Sequence, residues 1–269
     1  MNKNIFQNKV IIITGASSGI GRELAIQLAE YNVSVVLVAR NKEKLDEIVL
    51  LCKQKGSKAI AIKTDITDEE QCKNMIDSTI IKFGKIDILI NNAGITMWAY
   101  FEEIKDFSIS KKMMDVNYYG PLYCTKYALP YLKNVKGRIV NISSITGKTG
   151  VPTRSFYSAS KHALNGFFDS LRIEIASSGV TITMIYPGFV SSGIHLRALG
   201  PDGKSIGKNL LDYSKVMTPQ KCARLIIKAT AKRKRELVMT LKGKIGLLLK
   251  FILPNFVDKL AKKAIEKGK

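Results

Sequence analysis

The sequence predicts an α/β protein built on a parallel sheet with helices on both faces. Seven short apolar runs recur along the 269 residues, with segments of helical length between them. The runs are continuously apolar rather than alternating, as in strands that are buried on both faces of a sheet. A glycine-rich turn follows the first run directly, as in a β-α unit whose strand turns into a helix. A chain of this length suits one large domain.

The order of the predicted elements gives the topology. Strands are predicted at residues 10–14, 34–39, 59–63, 86–91, 138–142, 180–186 and 237–240. Helices are predicted at residues 22–31, 42–55, 69–83, 112–133, 158–177 and 219–232. Thr67 and Glu70 are predicted to form a capping box before the third helix. Because alternating strands and helices are joined by right-handed crossovers, we expect a single-domain, doubly wound, seven-stranded parallel sheet.

The composition argues against several classes of protein. No apolar run reaches the roughly 20 residues that a membrane-spanning helix needs. The first residues show no signal-peptide pattern. The four cysteines are scattered, without a Cys-x-x-Cys pair or clustered histidines. We therefore expect a cytoplasmic protein with no disulfide framework and no metal site.

The chain is strongly basic, with a formal net charge of +21. Such a balance is typical of proteins that bind nucleic acid, anionic lipid or an anionic substrate. The lysines of residues 1–231 are dispersed, which favours a general compositional bias, whereas residues 232–269 hold twelve Lys and Arg against three acidic residues. No nucleic-acid recognition motif accompanies this charge. We expect no nucleic-acid partner.

The glycine turn has the spacing Gly15-x-x-x-Gly19-x-Gly21. This differs from the G-x-G-x-x-G dinucleotide fingerprint, but both offer a tight turn, bare backbone and a helix N-terminus whose N–H groups can bind a pyrophosphate. A glycine turn after a first strand can also serve chain geometry alone. Because a second β-α unit follows here, the sequence favours a dinucleotide site.

The end of the second predicted strand indicates which dinucleotide binds. An acidic residue there bonds the ribose hydroxyls of NAD, whereas an arginine accommodates the 2′-phosphate of NADP. This chain has Arg40 and Lys42 at this point and no acid. A guanidinium matches phosphate geometry, although a loop arginine can also be simply solvated. NADP(H) is the predicted cofactor, and NAD is the less favoured one.

A tyrosine and a lysine four residues apart, Tyr157 and Lys161, follow the serine pair Ser143 and Ser144. On a helix, positions i and i+4 lie on one face. A cation beside a tyrosine lowers a phenol pKa that starts at about 10, so the phenol can exchange a proton with an alcohol or ketone at neutral pH. Many surface helices carry this spacing by chance. Beside the glycine turn it indicates a proton-transfer site.

Six motifs in order resemble the short-chain dehydrogenase/reductase family, in its single-domain branch, over residues 8–240. They lie at residues 14–21, 91–94, 116–117, 142–144, 157–161 and 187–188. Residues 116–121 and 147–154 are most similar to the 11-beta-hydroxysteroid-dehydrogenase-like group, which contains membrane-associated reductases of lipophilic carbonyls. The resemblance implies a Rossmann fold and an NADP(H)-dependent oxidoreductase that interconverts a carbonyl and an alcohol by hydride transfer.

The resemblance assigns a role to each catalytic residue. Tyr157 would be the general acid/base, and Lys161 would bind the nicotinamide ribose and lower the pKa of the tyrosine. Ser144, thirteen residues before Tyr157, would bond the substrate carbonyl, and Asn117 would hold the water of a proton relay. This intact set argues against the alternative, a non-catalytic NADP-sensing or scaffold protein on the same fold.

The resemblance also implies the cofactor-binding residues, which lie in four parts of the chain. They are Gly15, Ser17, Ser18, Gly19 and Ile20 in the glycine turn, Arg40, Asp65 and Ile66 after the second and third strands, Asn91, Ala93 and Gly94 after the fourth, and Pro187, Gly188, Val190 and Ser192 after the sixth, with Tyr157 and Lys161 at the nicotinamide ribose. Asp65 would bind the adenine amino group. Many NADP-using relatives carry a basic residue where Ser18 stands, so Arg40 remains the main expected 2′-phosphate anchor.

A catalytic domain of residues 1–240 is expected to include a substrate lid at residues 189–218. His195 in this lid would be either a substrate contact or a solvated loop histidine. The family pairs two long helices, here 112–133 and 158–177, with those of a second subunit. The resemblance therefore implies a homodimer or a homotetramer.

Residues 241–269 form a basic tail with an amphipathic pattern. Its apolar stripe, at i, i+3, i+4 and i+7, consists of Ile245, Leu248, Leu249 and Ile252. Flanked by lysines, the stripe suits a helix that lies in a membrane interface, which would place the protein peripherally at the cytoplasmic membrane face. The alternative is a stripe that docks on its own subunit or on a dimer partner.

Overall fold

The computed structural model describes residues 5–208 and 216–266. At its centre is a seven-stranded parallel sheet with the strand order β3-β2-β1-β4-β5-β6-β7. The strands are β1 Val10–Thr14, β2 Ser34–Ala39, β3 Lys58–Lys63, β4 Ile88–Asn91, β5 Arg138–Ile142, β6 Thr181–Tyr186 and β7 Glu236–Val238. The predicted Rossmann-type sheet is confirmed, and each strand boundary lies within two residues of its prediction.

Helices cover both faces of the sheet. They are α1 Gly19–Leu28, α2 Lys42–Gln54, α3 Glu69–Phe83, α4 Ser108–Met114, α5 Gly120–Asn134, α6 Ser155–Glu174, α7 Pro219–Ala231, α8 Leu241–Ile252 and α9 Pro254–Glu266. In β1, Ile11 and Ile13 pack with residues of α1, α2 and α7, whereas Val10 and Ile12 pack with residues of α3, α5 and α6. This alternation, with both faces apolar, explains why the strands read as continuous apolar runs.

Two predicted helices begin or continue differently in the structure. The helix predicted at 112–133 is interrupted by a π-turn, Asp115–Tyr119, between α4 and α5. The helix predicted from residue 158 begins at Ser155, so Tyr157 lies in its first turn. Both differences lie at candidate site residues, where local geometry departs from simple hydrophobic periodicity.

The predicted capping box of Thr67 and Glu70 is wrong. Asp68 caps α3 instead, and its carboxylate accepts a hydrogen bond from Gln71 N at 3.0 Å. The Thr67 hydroxyl donates to Asp65 Oδ1 at 2.9 Å. An aspartate one position later is as good an N-cap as threonine, and it leaves Thr67 free to order Asp65.

The segment after β6 folds back over the sheet edge. Val190 pairs with Met217, and Leu199 packs in a small cluster with Met97, Ile109 and Met113. Residues 209–215 of the expected lid lie outside the described residues. Among the helices that the structure describes, none has the length and apolar character needed to cross a bilayer.

Asp87 ties the start of β1 to the start of β4. Its buried carboxylate accepts hydrogen bonds from Lys9 Nζ at 2.8 Å and from Val10 N at 2.9 Å, and it lies 3.0 Å from Lys85 Nζ. Burial alone would raise the pKa of this carboxyl, but the bonds from Lys9, Val10 and Lys85 outweigh it and hold the pKa below its usual value. The ionised carboxylate therefore stabilises the centre of the sheet.

Replacing Asp87 with alanine should lower the free energy of unfolding by about 2–4 kcal/mol at pH 7, because one buried partner of a charged cluster is lost. Asp77→Ala is the control, because this exposed partner of Lys73 should contribute no more than about 0.5 kcal/mol. Since the folded pKa of Asp87 is lowered, its contribution should be complete above the unfolded pKa of about 3.9 and fade as the pH falls below it. Urea unfolding of both variants, at pH 7 and at a pH below about 3.9, measures this contribution. Equal losses in the two variants would contradict it.

Candidate active site

The glycine turn between β1 and α1 is pressed between two other segments. Gly15 and Gly19 have φ values of +64° and +55°, which favour glycine. A Cβ on Gly15 would lie 2.7 Å from Ala93 Cα, and a Cβ on Gly19 would lie 2.8 Å from Ser192 Cβ. The turn thus brings together three of the predicted cofactor segments. Close backbone approach leaves no room for side chains here.

The start of α1 can receive an anion. Ser17 and Ser18 lie in the turn, and Ile20 lies in the first turn of the helix. Ser18 is the N-cap residue, but its side chain makes no capping hydrogen bond. The first N–H groups of α1 therefore have no capping side chain and are available to pyrophosphate oxygens.

A polar clamp holds residues 91–94 against the turn. Thr14 Oγ1 accepts hydrogen bonds from Asn92 N at 3.0 Å and from Ala93 N at 3.1 Å. Asn92 Nδ2 donates to Thr14 O and Gly15 O. Asn92 lies inside the motif of residues 91–94, which the resemblance expects to line the adenine ribose. It acts by shaping the backbone that a cofactor would contact.

Asn91 is placed differently from its neighbours. Its side chain is buried, and Nδ2 donates to Asn141 Oδ1 at 2.9 Å and to Thr125 Oγ1 at 3.2 Å. The amide therefore joins β4 to β5 and α5 rather than facing the glycine turn. Because this side chain is buried, only the main chain of Asn91 can contact the ribose of a cofactor.

Arg40 and Asp65 meet at the carboxyl ends of β2 and β3. Arg40 Nη1 lies 4.0 Å from Asp65 Oδ2, and the arginine side chain is 73% exposed. Ile66 follows and is buried, with its side chain against Gly120. Because the guanidinium is held only loosely, it remains free to bind an added phosphate.

A cation also reaches the glycine turn from the lid. Arg197 Nη2 donates to Ser18 Oγ at 3.4 Å, and Arg197 has no carboxylate partner among the described residues. Its guanidinium therefore lies beside the N-cap residue of α1. Sequence reasoning missed Arg197, because the contact joins residues 179 positions apart.

Tyr157, Ser144 and Lys161 converge near the carboxyl end of β5. The Ser144 hydroxyl lies near enough to the Tyr157 phenol to lower its pKa, whereas the Ser143 hydroxyl donates to Asn165 Oδ1 in the core. Lys161 Nζ lies 5.9 Å from the centroid of the tyrosine ring and donates to Ile142 O at 3.0 Å. Ser144, not Ser143, is thus the serine of the site.

The two ionisable groups are strongly affected by burial. Burial raises the pKa of Tyr157, while the Ser144 hydrogen bond and the charge of Arg154 act in the opposite direction. Burial lowers the pKa of Lys161 to about 8. These shifts move the two pKa values apart, so Lys161 loses its proton at a lower pH than Tyr157 does.

Asn117 lies in the π-turn and is fully buried. Its side chain is committed: Oδ1 accepts from Ile95 N at 2.9 Å, and Nδ2 donates to Ile95 O and Ser160 Oγ at 3.0 Å. A Cβ on Gly94 would lie 3.2 Å from Asn117 Oδ1 and 3.7 Å from Lys161 Nζ. Gly94 thus lets the loop approach both residues.

The remaining predicted residues border the site from β6. Pro187 and Gly188 follow the strand directly, and a Cβ on Gly188 would meet Thr240 at 2.9 Å. Val190 is buried, and Ser192 packs on Gly19. In the described parts of the chain, no group of three His, Cys, Asp or Glu side chains could hold a metal ion.

Arg154 lies close to the tyrosine, and His195 lies within reach of the charge of Arg154. Arg154 is buried immediately before α6, and His195 is buried in the lid with its ring against Phe189. Burial, with the charge of Arg154, lowers the pKa of His195 to about 4, so the imidazole is neutral at pH 7. The alternative of a solvated loop histidine is therefore wrong, because His195 is enclosed. Arg154 was not predicted, since its contacts are remote in sequence.

Comparison with known proteins agrees with this geometry. The family model described as short chain dehydrogenase matches residues 9–198. A "Dehydrogenase/reductase SDR family protein 7-like" of Dictyostelium discoideum is 39% identical, covering 96% of this chain and 82% of the relative. The "11-beta-hydroxysteroid dehydrogenase-like 2" of Arabidopsis thaliana is 38% identical, covering 94% of this chain and 80% of that protein.

A solved structure shows the same fold. The short chain dehydrogenase/reductase of Burkholderia phymatum, determined in complex with NAD, superposes with a TM-score of 0.83 at 23% identity, over 93% of this chain and 95% of that one. Together with the family match and the site geometry, the likeness is decisive. The chain belongs to the short-chain dehydrogenase/reductase family, nicotinamide-dinucleotide-dependent oxidoreductases that act on CH–OH groups.

Proposed function

We propose that the protein is an NADP(H)-dependent carbonyl reductase or alcohol dehydrogenase with Tyr157 as its general acid/base. The observation that carries this proposal is the convergence of Tyr157, Ser144 and Lys161 beside a glycine turn suited to a dinucleotide. The nicotinamide, when bound, supplies or takes the hydride. Ser144 then holds the substrate oxygen next to the phenol, and Tyr157 gives or removes its proton.

Lys161 and Asn117 complete the proton path in this proposal. Lys161, with its pKa of about 8, can return a proton to the phenol near neutral pH. Because the Asn117 side chain is committed to Ile95 and Ser160, a relay water can be held only by its main chain. The π-turn, which changes the hydrogen-bond spacing of the backbone at Asn117, supports that role.

Replacing Tyr157 with phenylalanine should lower turnover by at least 10²–10⁴-fold, the usual contribution of a general acid/base, because the ring stays and the proton donor is lost. Binding of NADPH, measured by fluorescence, should survive. Tyr31→Phe is the control, since this tyrosine packs on Phe6 beyond the end of α1, away from the glycine turn. Turnover of carbonyl substrates in Tyr157→Phe close to that of the unaltered enzyme would show that the assignment is wrong, and a protein inactive before substitution would favour the non-catalytic alternative.

The preference for NADP(H) over NAD(H) is part of the proposal. Arg40 stands at the end of β2, where no acid is present to bind ribose hydroxyls. The approach of Arg197 to Ser18 supplies a second cation on the other side of the turn. Two guanidinium groups with loose partners favour a cofactor that carries an additional phosphate.

Replacing Arg40 with aspartate should weaken NADPH binding through charge repulsion and shift the preference toward NADH, by at least tenfold in the ratio of the two Kd values. Lys53→Asp is the control, because it makes the same charge change in the last turn of α2, away from the carboxyl ends of the strands. Fluorescence titration with both cofactors measures the ratio. An unchanged ratio in Arg40→Asp would show that Arg40 does not bind the 2′-phosphate of NADPH.

The tail supports a lipophilic substrate and contact with a membrane surface. Helices α8 and α9 are formed, and the described residues of α8 include none that is buried. Ile245, Leu248 and Ile252 are 49%, 65% and 70% exposed, so most of the stripe does not dock on its own subunit. Its lysines suit anionic lipid. Peripheral attachment at the cytoplasmic membrane face is therefore proposed.

The first turn of α8 lies beside the site. A Cβ on Gly243 would lie 2.6 Å from Ile145 Cδ1, and Ile145 directly follows Ser144. An apolar surface that begins next to the catalytic serine would bring a lipophilic carbonyl or alcohol close to the pocket. This geometry links the substrate class to the tail.

A homodimer or homotetramer is also proposed. Tyr118, Tyr119, Tyr123 and Phe167 form an aromatic cluster between the π-turn, α5 and α6. Ile173 on α6 is 77% exposed. Apolar and aromatic side chains on the outer faces of these helices suit an isologous interface.

The double variant Leu248→Ser with Phe251→Ser should release the protein from anionic vesicles, because it removes exposed apolar area from α8. Ile81→Ser is the control, since Ile81 is equally exposed on α3. Co-sedimentation at low and high salt separates the apolar part of the binding from the charge-dependent part.

Light scattering of the same variants tests the rival interpretation of the stripe. If the stripe docks on a dimer partner, the double variant should dissociate the oligomer. The unaltered protein should then not bind to the vesicles. Unaltered protein that stays in the supernatant with anionic vesicles at low salt would contradict the membrane proposal.

A further inference from the structure

A buried arginine stands immediately before the catalytic helix. Arg154 is the N-cap residue of α6, three positions before Tyr157, and only 3% of it is exposed. Its Nη1 donates to Thr96 Oγ1 at 2.6 Å and to Met97 O at 2.7 Å. The guanidinium also lies 4.1 Å from the centroid of the Trp98 ring. These contacts fix the charge in one place.

This arginine has no counterion among the described residues. Its Nη2 is buried without a hydrogen-bond partner, and within residues 5–208 and 216–266 no carboxylate lies within ion-pair distance of Arg154 or Lys161. A buried charge without a partner is costly. The same lack of screening makes its field on neighbouring groups strong.

Besides Arg154, the charges near Tyr157 come from α6: Lys161 and the helix N-terminus, which carries a partial positive charge close to the first turn. His195 of the lid lies within reach of the charge of Arg154 and is itself neutral at pH 7. The loop at residues 96–98 and the segment at Ser144 contribute no ionisable side chain.

Lys161 alone is a poor source of positive charge at alkaline pH. Its pKa is about 8, because the ammonium is buried. Burial lowers the pKa of Arg154 only to about 10, so the guanidinium keeps its charge after Lys161 has lost its proton. Alcohol oxidation requires the deprotonated tyrosine and therefore needs the cation that persists.

We propose that Arg154 is a second cation for the catalytic tyrosine: its buried guanidinium, held by Thr96 and Met97 and free of any carboxylate among the described residues, stabilises the phenolate of Tyr157. The inference rests on the proposed acid/base role of Tyr157. Arg154 is a positioning residue in this scheme, because it acts through the tyrosine and need not touch substrate or cofactor.

The first test removes the charge and keeps the hydrogen bonds. In Arg154→Gln the side-chain amide can still donate to Thr96 or Met97, whereas Arg154→Lys keeps the charge. The titration of Tyr157 is measured as the difference in near-ultraviolet tyrosinate absorbance between each protein and the same protein carrying Tyr157→Phe, with NADP⁺ bound. Arg154→Gln should move the midpoint to higher pH by on the order of 1 pH unit, and Arg154→Lys should leave it near its original value.

A matched variant separates charge from loop structure. Thr96→Val removes one hydrogen bond of the guanidinium and keeps its charge, so it should lower the melting temperature without moving the Tyr157 midpoint. If Arg154 serves only to fasten the loop, both Arg154→Gln and Thr96→Val lose stability and neither shifts the titration. That result would overturn the inference.

A second pair of variants covers the case in which Arg154→Gln does not fold. Thr96→Asp sets a carboxylate against the guanidinium and cancels its charge, while Thr96→Asn has the same shape without the charge. The Tyr157 midpoint should be higher in Thr96→Asp than in Thr96→Asn. Equal midpoints would overturn the inference.

The pH dependence of kcat/KM, with a carbonyl and an alcohol found by screening, gives an independent check. In Arg154→Gln the rise of alcohol oxidation with pH, and the fall of carbonyl reduction, should both move to higher pH. If Tyr157→Phe keeps its turnover, the proposed function itself fails. If Tyr157→Phe is inactive and Arg154→Gln leaves both profiles in place, only the role of Arg154 fails.

Discussion

The close approach of three backbone segments at the glycine turn is the constraint on which the site depends. Gly15 meets Ala93, Gly19 meets Ser192, and Gly21 meets the carbonyl of Gly15, all at distances that a Cβ would occupy. Because parallel strands present their carboxyl ends at one edge, these segments arrive from β1, β4 and β6 at the same place. The order of the strands thus brings the three segments of the site together.

The strands were predictable because burial on both faces leaves a simple signal. Residues such as Ile11 and Ile12 contact opposite layers, yet both must be apolar. The predicted capping box is wrong because Asp68 and Thr67 are both suitable N-cap residues for α3. The sequence spacing does not show which of the two caps the helix. The π-turn between α4 and α5 was not predicted, because a single five-residue π-turn within a long helical pattern leaves no clear signal in one sequence.

The candidate site was predictable where its residues lie in short motifs. Tyr157, Lys161 and Gly15 belong to local patterns whose geometry follows from helix or turn spacing. Arg154 and Arg197 do not, because they reach Thr96 and Ser18 across 58 and 179 residues. The enclosed position of His195 also depends on how the lid packs. A single sequence carries no local signal for such contacts.

The contact between Arg197 and Ser18 has a thermodynamic consequence for the order of events. A phosphate-binding cation on the glycine turn would affect dinucleotide binding alone. A cation on the lid couples dinucleotide binding to the conformational equilibrium of the lid. Whatever free energy a bound dinucleotide gains from Arg197 is also gained by the arrangement of the lid that presents it, by the same factor. The lid would then be arranged before a carbonyl or alcohol arrives. Compulsory-order kinetics, with the dinucleotide entering first and leaving last, would be the natural outcome of this architecture.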